Sequence, residues 1–189
     1  MDNNIPVVIK DFLDYMETIR GKSKKTIRGY LYDLTLFFKF MKIRRNIVPE
    51  DTDFDDISIS DIDSYFIRTI GLNDLYAFIT YVAKERNNLN YARARKVACL
   101  RSFFKYLHVK AKIIDENPAA ELEPPKINVR QPIYLTLEES KALLNAIDGK
   151  YKERDYAMIM LFLNCGLRLS ELVNIDMDKI SGDTLRVIG

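Results

Sequence analysis

Gly21-Lys22-Ser23-Lys24-Lys25-Thr26-Ile27-Arg28-Gly29-Tyr30-Leu31-Tyr32-Asp33-Leu34-Thr35-Leu36-Phe37-Phe38 is the stretch that decides the fold. Ile27, Tyr30, Leu31, Leu34, Phe37, Phe38 and Met41 recur at intervals of three and four, which returns their side chains to one face of an α-helix. Ser23 stands just ahead of them with an oxygen suited to cap a free backbone amide. The spacing predicts a long amphipathic helix. Upstream, Val8, Phe12, Tyr15, Met16 and Ile19 predict a shorter helix that Gly21 ends.

The same stretch opens a block of charge. From Arg20 to Arg45 nine bases stand against Asp33 alone, and from Lys84 to Lys112 nine stand against Glu85 alone. Between them, Glu50 to Asp63 holds seven acids and no base. The formal net charge of +2 therefore conceals two basic segments flanking an acidic one. Bases and hydroxyls crowd the first turn of the long helix at Lys22, Ser23, Lys24, Lys25, Thr26 and Arg28. Free amides and the positive end of the helix dipole favour an anion there, and lysine or arginine adds counterion release on DNA. Two readings stay open for this run, a phosphate-binding turn or a solvated basic cap. A second basic helix carrying Arg93, Arg95, Lys96, Arg101 and Lys105 favours the first, because two such helices can lie across neighbouring grooves of one duplex.

Working outward, Ser60 is placed as the cap of a helix running to about Ile70. Gly71-Leu72-Asn73 breaks it, and Asp74 opens another with Leu75, Phe78, Ile79 and Val82 inward. Asn87-Asn88 and Asn90 form a turn before a helix reaching His108, with Val97, Leu100, Phe104 and Leu107 on its buried face. Pro124, Pro125 and Pro132 give residues 121–133 the stiff, extended character of a linker. The expected organisation is a helical domain over 1–120, that linker, and a second unit over 134–189.

In the second unit Thr136 caps a helix with Glu138 and Glu139 in its first turn. Arg154 to Leu163 reads as a buried apolar helix ending near Gly166, and Ser170-Glu171-Leu172-Val173 starts a short one. Thr184 to Ile188 reads as a lone strand after the turn Ser181-Gly182-Asp183. A strand without a partner is a poor end to a domain, so this unit is expected to be the opening part of something larger. Arg168 sits at a glycine turn just before a helix. Its planar fork can hold two phosphate oxygens or pair with Glu171, and both readings stay open.

With 189 residues, 48% hydrophobic and 30% charged, the chain has globular composition, and no apolar run approaches the length of a membrane span. No membrane partner is expected. The N-terminus lacks the features of a secretory signal, which makes the cytoplasm the default location. Cys99 and Cys165 each sit among apolar residues and are expected to be buried, reduced thiols. No metal-ligand cluster and no nucleotide-binding glycine loop occurs, so neither a metal nor another cofactor is expected.

Three stretches resemble the tyrosine recombinases, or phage integrase family, and within it the Xer-like site-specific recombinases. Ser23 to Tyr30 with Asp33-Leu34 and Phe37-Phe38 is similar to the family's S-x-x-T-x-x-x-Y-x-x-D-L helix. Arg95 through Leu107, followed by Asn117-Pro118, resembles the end of its core-binding domain. Arg154-Asp155-Tyr156-Ala157-Met158 to Gly166-Leu167-Arg168-Leu169-Ser170-Glu171-Leu172 is similar to the start of its catalytic domain.

The resemblance implies a mainly α fold. It would combine a helical, SAM-like core-binding domain with the first helices and first strand of an α+β catalytic domain, truncated in this chain. It implies that double-stranded DNA is the partner, gripped through Ser23, Lys24, Lys25, Thr26, Arg28, Arg93, Arg95, Lys96 and Arg101, with Lys126 and Arg130 on the backbone. Arg168 would be the first catalytic arginine on the scissile phosphate, with Glu171 in support, and the full-length protein would act as a homo- or hetero-tetramer on DNA. The family further needs a hairpin lysine, a His-x-x-Arg motif, a further His or Trp and a tyrosine nucleophile, none of which is assignable in this sequence. His108 is the single histidine, and none of the eleven tyrosines occupies a matching position. The chain is therefore expected to take part in site-specific DNA recombination or integration but not to cleave DNA alone. A non-catalytic DNA-binding regulator and a helical protein-interaction module, docking its basic faces on an acidic surface, remain as alternatives.

Overall fold

The structure, a computed structural model, describes residues 5–49, 51–127 and 131–187. The chain divides into two compact units, 1–129 and 130–189.

The first unit is built from α1 (Val7–Thr18), α2 (Lys24–Arg44), α3 (Ser64–Arg68), α4 (Leu72–Lys84) and α5 (Asn90–Val109). α2 starts where the sequence predicts, with Ser23 Oγ accepting the Thr26 amide at 3.3 Å. It is the central rod, packed by α1, α4 and α5. For that reason Leu36 and Phe40 are buried beside the expected Leu34, Phe37, Phe38 and Met41, because a helix enclosed on several sides buries more than one stripe. The centre is aromatic. Phe37 meets Phe38 and Phe78 edge-on at 5.2 Å each, and Phe12 meets Phe103 edge-on at 5.2 Å.

The acidic segment departs from expectation. α3 is capped by Asp63, whose Oδ1 accepts the Phe66 amide at 2.8 Å, and not by Ser60. The Ser60 amide is already engaged by Ser58 Oγ at 3.3 Å, which favours a turn over a helix start. Buried Ile59 and Ile62 pin that turn to the core. α4 likewise begins at Leu72, ahead of the predicted opener. Asp74 Oδ2 reaches back to the Gly71 amide at 3.1 Å, which makes Asp74 a first-turn anion.

After α5, His108 is half-buried with Nδ1 3.3 Å from the Ile114 carbonyl. Leu122 joins the core, Tyr76 Oη donates to the Glu121 carbonyl at 3.2 Å, and Asn90 Nδ2 donates to the Lys126 carbonyl at 2.6 Å. Residues 121–127, placed by sequence in the linker, thus lie against the first unit.

The second unit comprises α6 (Leu137–Asn145), α7 (Lys152–Cys165), α8 (Leu169–Val173) and a hairpin of β1 (Ile180–Ser181) with β2 (Thr184–Leu185). Thr136 and Glu139 form the expected capping box, with Oγ1 and Oε2 accepting at 3.2 and 2.8 Å. Three expectations fail. α7 has no buried residue, since Tyr156, Met158 and Leu163 are exposed and Leu172 alone is buried among this unit's described residues. The strand is shorter than predicted and has a partner: Ile180 pairs with Leu185 and Ser181 with Thr184 around Gly182, whose φ of 59° suits the tight turn. Ile188 lies outside the described residues. Cys165 is exposed, while Cys99 is buried as predicted.

Candidate nucleic-acid interface

The N-terminal turn of α2 gathers Lys22, Lys24, Lys25 and Arg28, all exposed and none with an acidic partner among the described residues. No acid stands in the first turn. Lysines at the positive end of a helix dipole work against helix stability by about 0.3–1 kcal/mol each, so an anion supplied from outside would relieve a conflict built into the fold. Ser23 and Thr26 lock this turn, their hydroxyls 3.0 Å apart.

The C-terminal half of α2 carries as much charge and spends it internally. Lys39 Nζ donates to the Phe54 and Asp55 carbonyls at 3.1 and 2.7 Å. Lys42, buried, donates to the Ser58 carbonyl at 2.8 Å and pairs with Asp61 at 2.7 Å. That ammonium, hydrogen-bonded to Asp61, holds its carboxyl below the usual aspartate range. Arg44 and Arg45 share Asp74, each at 3.2 Å. The C-terminal half of α2 thus spends its charge on carbonyls and acids of the same unit, and the charge without acidic partners among the described residues stands at its other end.

On α5 the candidates separate. Arg101 is exposed with no acidic partner among the described residues, and so is Lys105. Arg93 is half-buried, turned onto Asn90 Oδ1, with its Nε enclosed and unpartnered among the described residues. Lys96 is a correction: it is 2% exposed and pairs with Asp33 Oδ1 at 3.1 Å, so its charge neutralises a buried carboxylate and is not presented to a ligand. Arg95 and Lys96 stand together among the sequence candidates, yet one residue step turns a helical side chain by about 100°, and that step takes Arg95 to the surface, opposite the apolar face, and Lys96 into the core. Burial also pushes the Cys99 thiol and the Tyr30 phenol upward.

Between the end of α1, the start of α2 and α5 lies a cleft of about 440 Å³ lined by Arg20, Lys22, Lys105, Lys110, Tyr30 and Ser102 among others, with no carboxylate in its wall. Arg20 and Lys110 were not singled out from the sequence. Arg20 stands just past the end of α1 and Lys110 at the end of α5, and the meeting of those two ends makes them neighbours. Lys126 is exposed, and Arg130 lies outside the described residues.

In the second unit Gly166, at φ 61°, ends α7, and Arg168 occupies the N-cap position of α8. Glu171 Oε2 accepts the Arg168 amide and Oε1 accepts Nη1, both at 2.7 Å. The amide first, then the guanidinium, hold the Glu171 carboxyl below the usual glutamate range. The Arg168 side chain is nevertheless 81% exposed, so the ion pair forms while most of the fork stays open to a second acceptor. Among the described residues no cluster of His, Cys, Asp and Glu could hold a metal ion, and no helix is long and apolar enough to cross a membrane.

Comparison with known proteins places these features in a family. The profile of the phage integrase N-terminal SAM-like domain matches residues 9–110, and that of the phage integrase family matches residues 134–188. The chain is 59% identical over 184 residues to the tyrosine recombinase XerC of Caldanaerobacter subterraneus subsp. tengcongensis, covering 97% of this chain and 52% of that protein. It is 33% identical over 175 residues to a tyrosine recombinase of Pseudothermotoga lettingae, covering 92% of this chain and 54% of that one. A crystal structure of XerA recombinase aligns over 95% of this chain and 57% of its own at 21% identity, with a TM-score of 0.41. The chain spans about half the length of the curated relatives it matches. A mainly helical first unit matched over most of its length, followed by helices and a hairpin matched in turn, places this chain in the phage integrase family of tyrosine recombinases.

Proposed function

We propose that this chain is the DNA-gripping N-terminal region of a site-specific tyrosine recombinase, with residues 1–120 as the core-binding domain, 121–133 as the linker and 134–189 as the first part of the catalytic domain. The observation that carries the reading is the division of charge on α2. One end is neutralised within the fold, while Lys22, Lys24, Lys25 and Arg28 are left without acidic partners among the described residues, beside a cleft bearing Arg20, Lys105 and Lys110. Such a surface suits a DNA backbone, with Arg101 and Lys126 adding contacts. In the second unit Arg168 would stabilise charge developing on the scissile phosphate, and Glu171 would fix its orientation through the 2.7 Å pair. The protein carrying the remaining catalytic groups would act in the cytoplasm as a tetramer on paired DNA sites.

The test is fluorescence anisotropy of a labelled duplex across a salt series, followed by incubation with a nicked duplex and denaturing electrophoresis. Binding that weakens steeply with salt, and no covalent protein–DNA product, is the expected result. Binding indifferent to salt would overturn the grip. A phosphotyrosyl product from these 189 residues would overturn the assignment of an incomplete site.

A further inference from the structure

We infer that Asp33 and Gly29 are positioning residues that hold the Arg95 guanidinium half out of the protein, set for one DNA-backbone phosphate. The inference rests on the DNA-binding reading and adds to it two residues that touch no DNA themselves.

Asp33 is 1% exposed in the middle of α2 and faces two cations from α5. Lys96 is equally buried, and its charge is consumed. Arg95 is different: its side chain is 44% exposed, with Nη1 standing 2.7 Å from Asp33 Oδ2 and donating to the Gly29 carbonyl at 3.0 Å. Two cations share one carboxylate, which leaves a net positive charge, and Arg95 is the member of the cluster that reaches solvent. Oδ2 receives no aligned hydrogen bond among the described residues, so it holds the guanidinium by charge while the Gly29 carbonyl sets its direction. The other N–H groups of the fork have no acceptor among the described residues. An arginine anchored at one nitrogen has already given up the rotamer freedom that a phosphate contact would otherwise cost.

Gly29 completes the arrangement. A glycine inside a helix weakens it relative to alanine, so its presence in α2 calls for a local reason. A Cβ at this position would stand 3.0 Å from Arg95 Nη1, so the guanidinium must give by a few tenths of an ångström, which disturbs its hold on the carbonyl. Lys25 lies one helical turn before Gly29 on the same face, which sets Arg95 beside the free bases of the α2 N-terminus. Burial raises the Asp33 carboxyl above its ordinary value against the pull of Lys96 and Arg95, consistent with a carboxylate that needs both cations.

A cluster that merely fastens α5 to α2 would affect stability and leave the number of phosphate contacts alone. The test therefore reads the slope of log affinity against log salt, using a short labelled duplex of mixed sequence. Gly29→Ala is expected to melt at the same or a higher temperature, yet lose about 0.9 from the slope, the share of one phosphate. The double variant Asp33→Asn/Lys96→Met removes the buried pair together and is expected to show the same loss. Arg95→Gln should also match it, with no further loss when combined with Gly29→Ala. Between 50 and 200 mM salt each loss reads as about a 3.5-fold smaller drop in affinity. A folded Gly29→Ala protein with wild-type slope and affinity would overturn the positioning role while the DNA reading stands, and it decides the matter even if the double variant fails to fold. Wild-type protein without salt-dependent binding would overturn the DNA reading and this inference with it.

Discussion

Replacing Lys24, Lys25 and Arg28 together by glutamine separates the two ends of α2. All three are exposed and lack acidic partners among the described residues. If each neutralises one phosphate, the slope of log affinity against log salt falls by about 0.9 per residue, or about 2.7 in total. Over a rise from 50 to 200 mM salt, the wild-type protein should then lose about 40-fold more affinity than the variant. Stability should move the other way. Removing two lysines from the positive end of the helix dipole relieves roughly 1 kcal/mol, so the variant should melt a few degrees higher. Opposite signs in the two measurements exclude unfolding as the cause of weaker binding. Lys39→Gln with Arg44→Gln is the control on the same helix, because those cations are held by the Phe54 and Asp55 carbonyls and by Asp74. That control should leave the slope unchanged. Equal loss of slope from both sets, or a triple variant that melts lower, would refute the division of α2 into a consumed and a free end.

Other consequences concern the fold and the second unit. Lys42→Ala should destabilise the first unit by about 1–3 kcal/mol in urea unfolding, since the part-buried Ser58 carbonyl contact and the Asp61 pair go together, and an unchanged midpoint would show that the acidic segment is not fastened there. Phe37→Ala, at the meeting of Phe38, Phe78 and Phe104, should cost about 3–5 kcal/mol by the same measurement; a loss under 1 kcal/mol would mean that the aromatic centre is not close-packed. The Glu171 carboxyl should titrate below the ordinary glutamate range when followed by carbon NMR. Because its folded value is lowered, the contribution to the start of α8 is complete above the ordinary glutamate value and is lost as pH falls through the folded one. Arg168→Ala should return that titration only partly toward normal, since the backbone amide that is the larger cause remains; a full return would place the cause in the guanidinium alone.

Much of the fold was legible in the sequence because it is written in local chemistry. A capping serine at residue 23, a three-and-four repeat through Met41 and a threonine with glutamate three residues on at Thr136 each act within a turn or two of chain, and α2 and α6 begin where those signals stand. Ser60 misled because an equally local device, the Ser58 turn, engages both its amide and its hydroxyl, and the cap falls to Asp63. The buried side of α5 was read in outline, yet Phe103 and Lys96 are buried as well, since that depends on how many neighbours enclose the helix. α7 misled in the opposite sense: apolar composition gives a tendency to be covered, and covering needs a second surface.

The tertiary structure alone decided which charges are free. Lysine and arginine look alike along the chain at positions 24, 42, 95 and 96, but Coulomb attraction and burial depend on distances closed by residues 19 to 63 positions away, as Lys42 on Asp61 and Lys96 on Asp33 illustrate. A sequence records how many cations there are. Folding pairs some of them with acids from remote segments, and those left over, as at the start of α2 and along α5, can answer to an anion from outside.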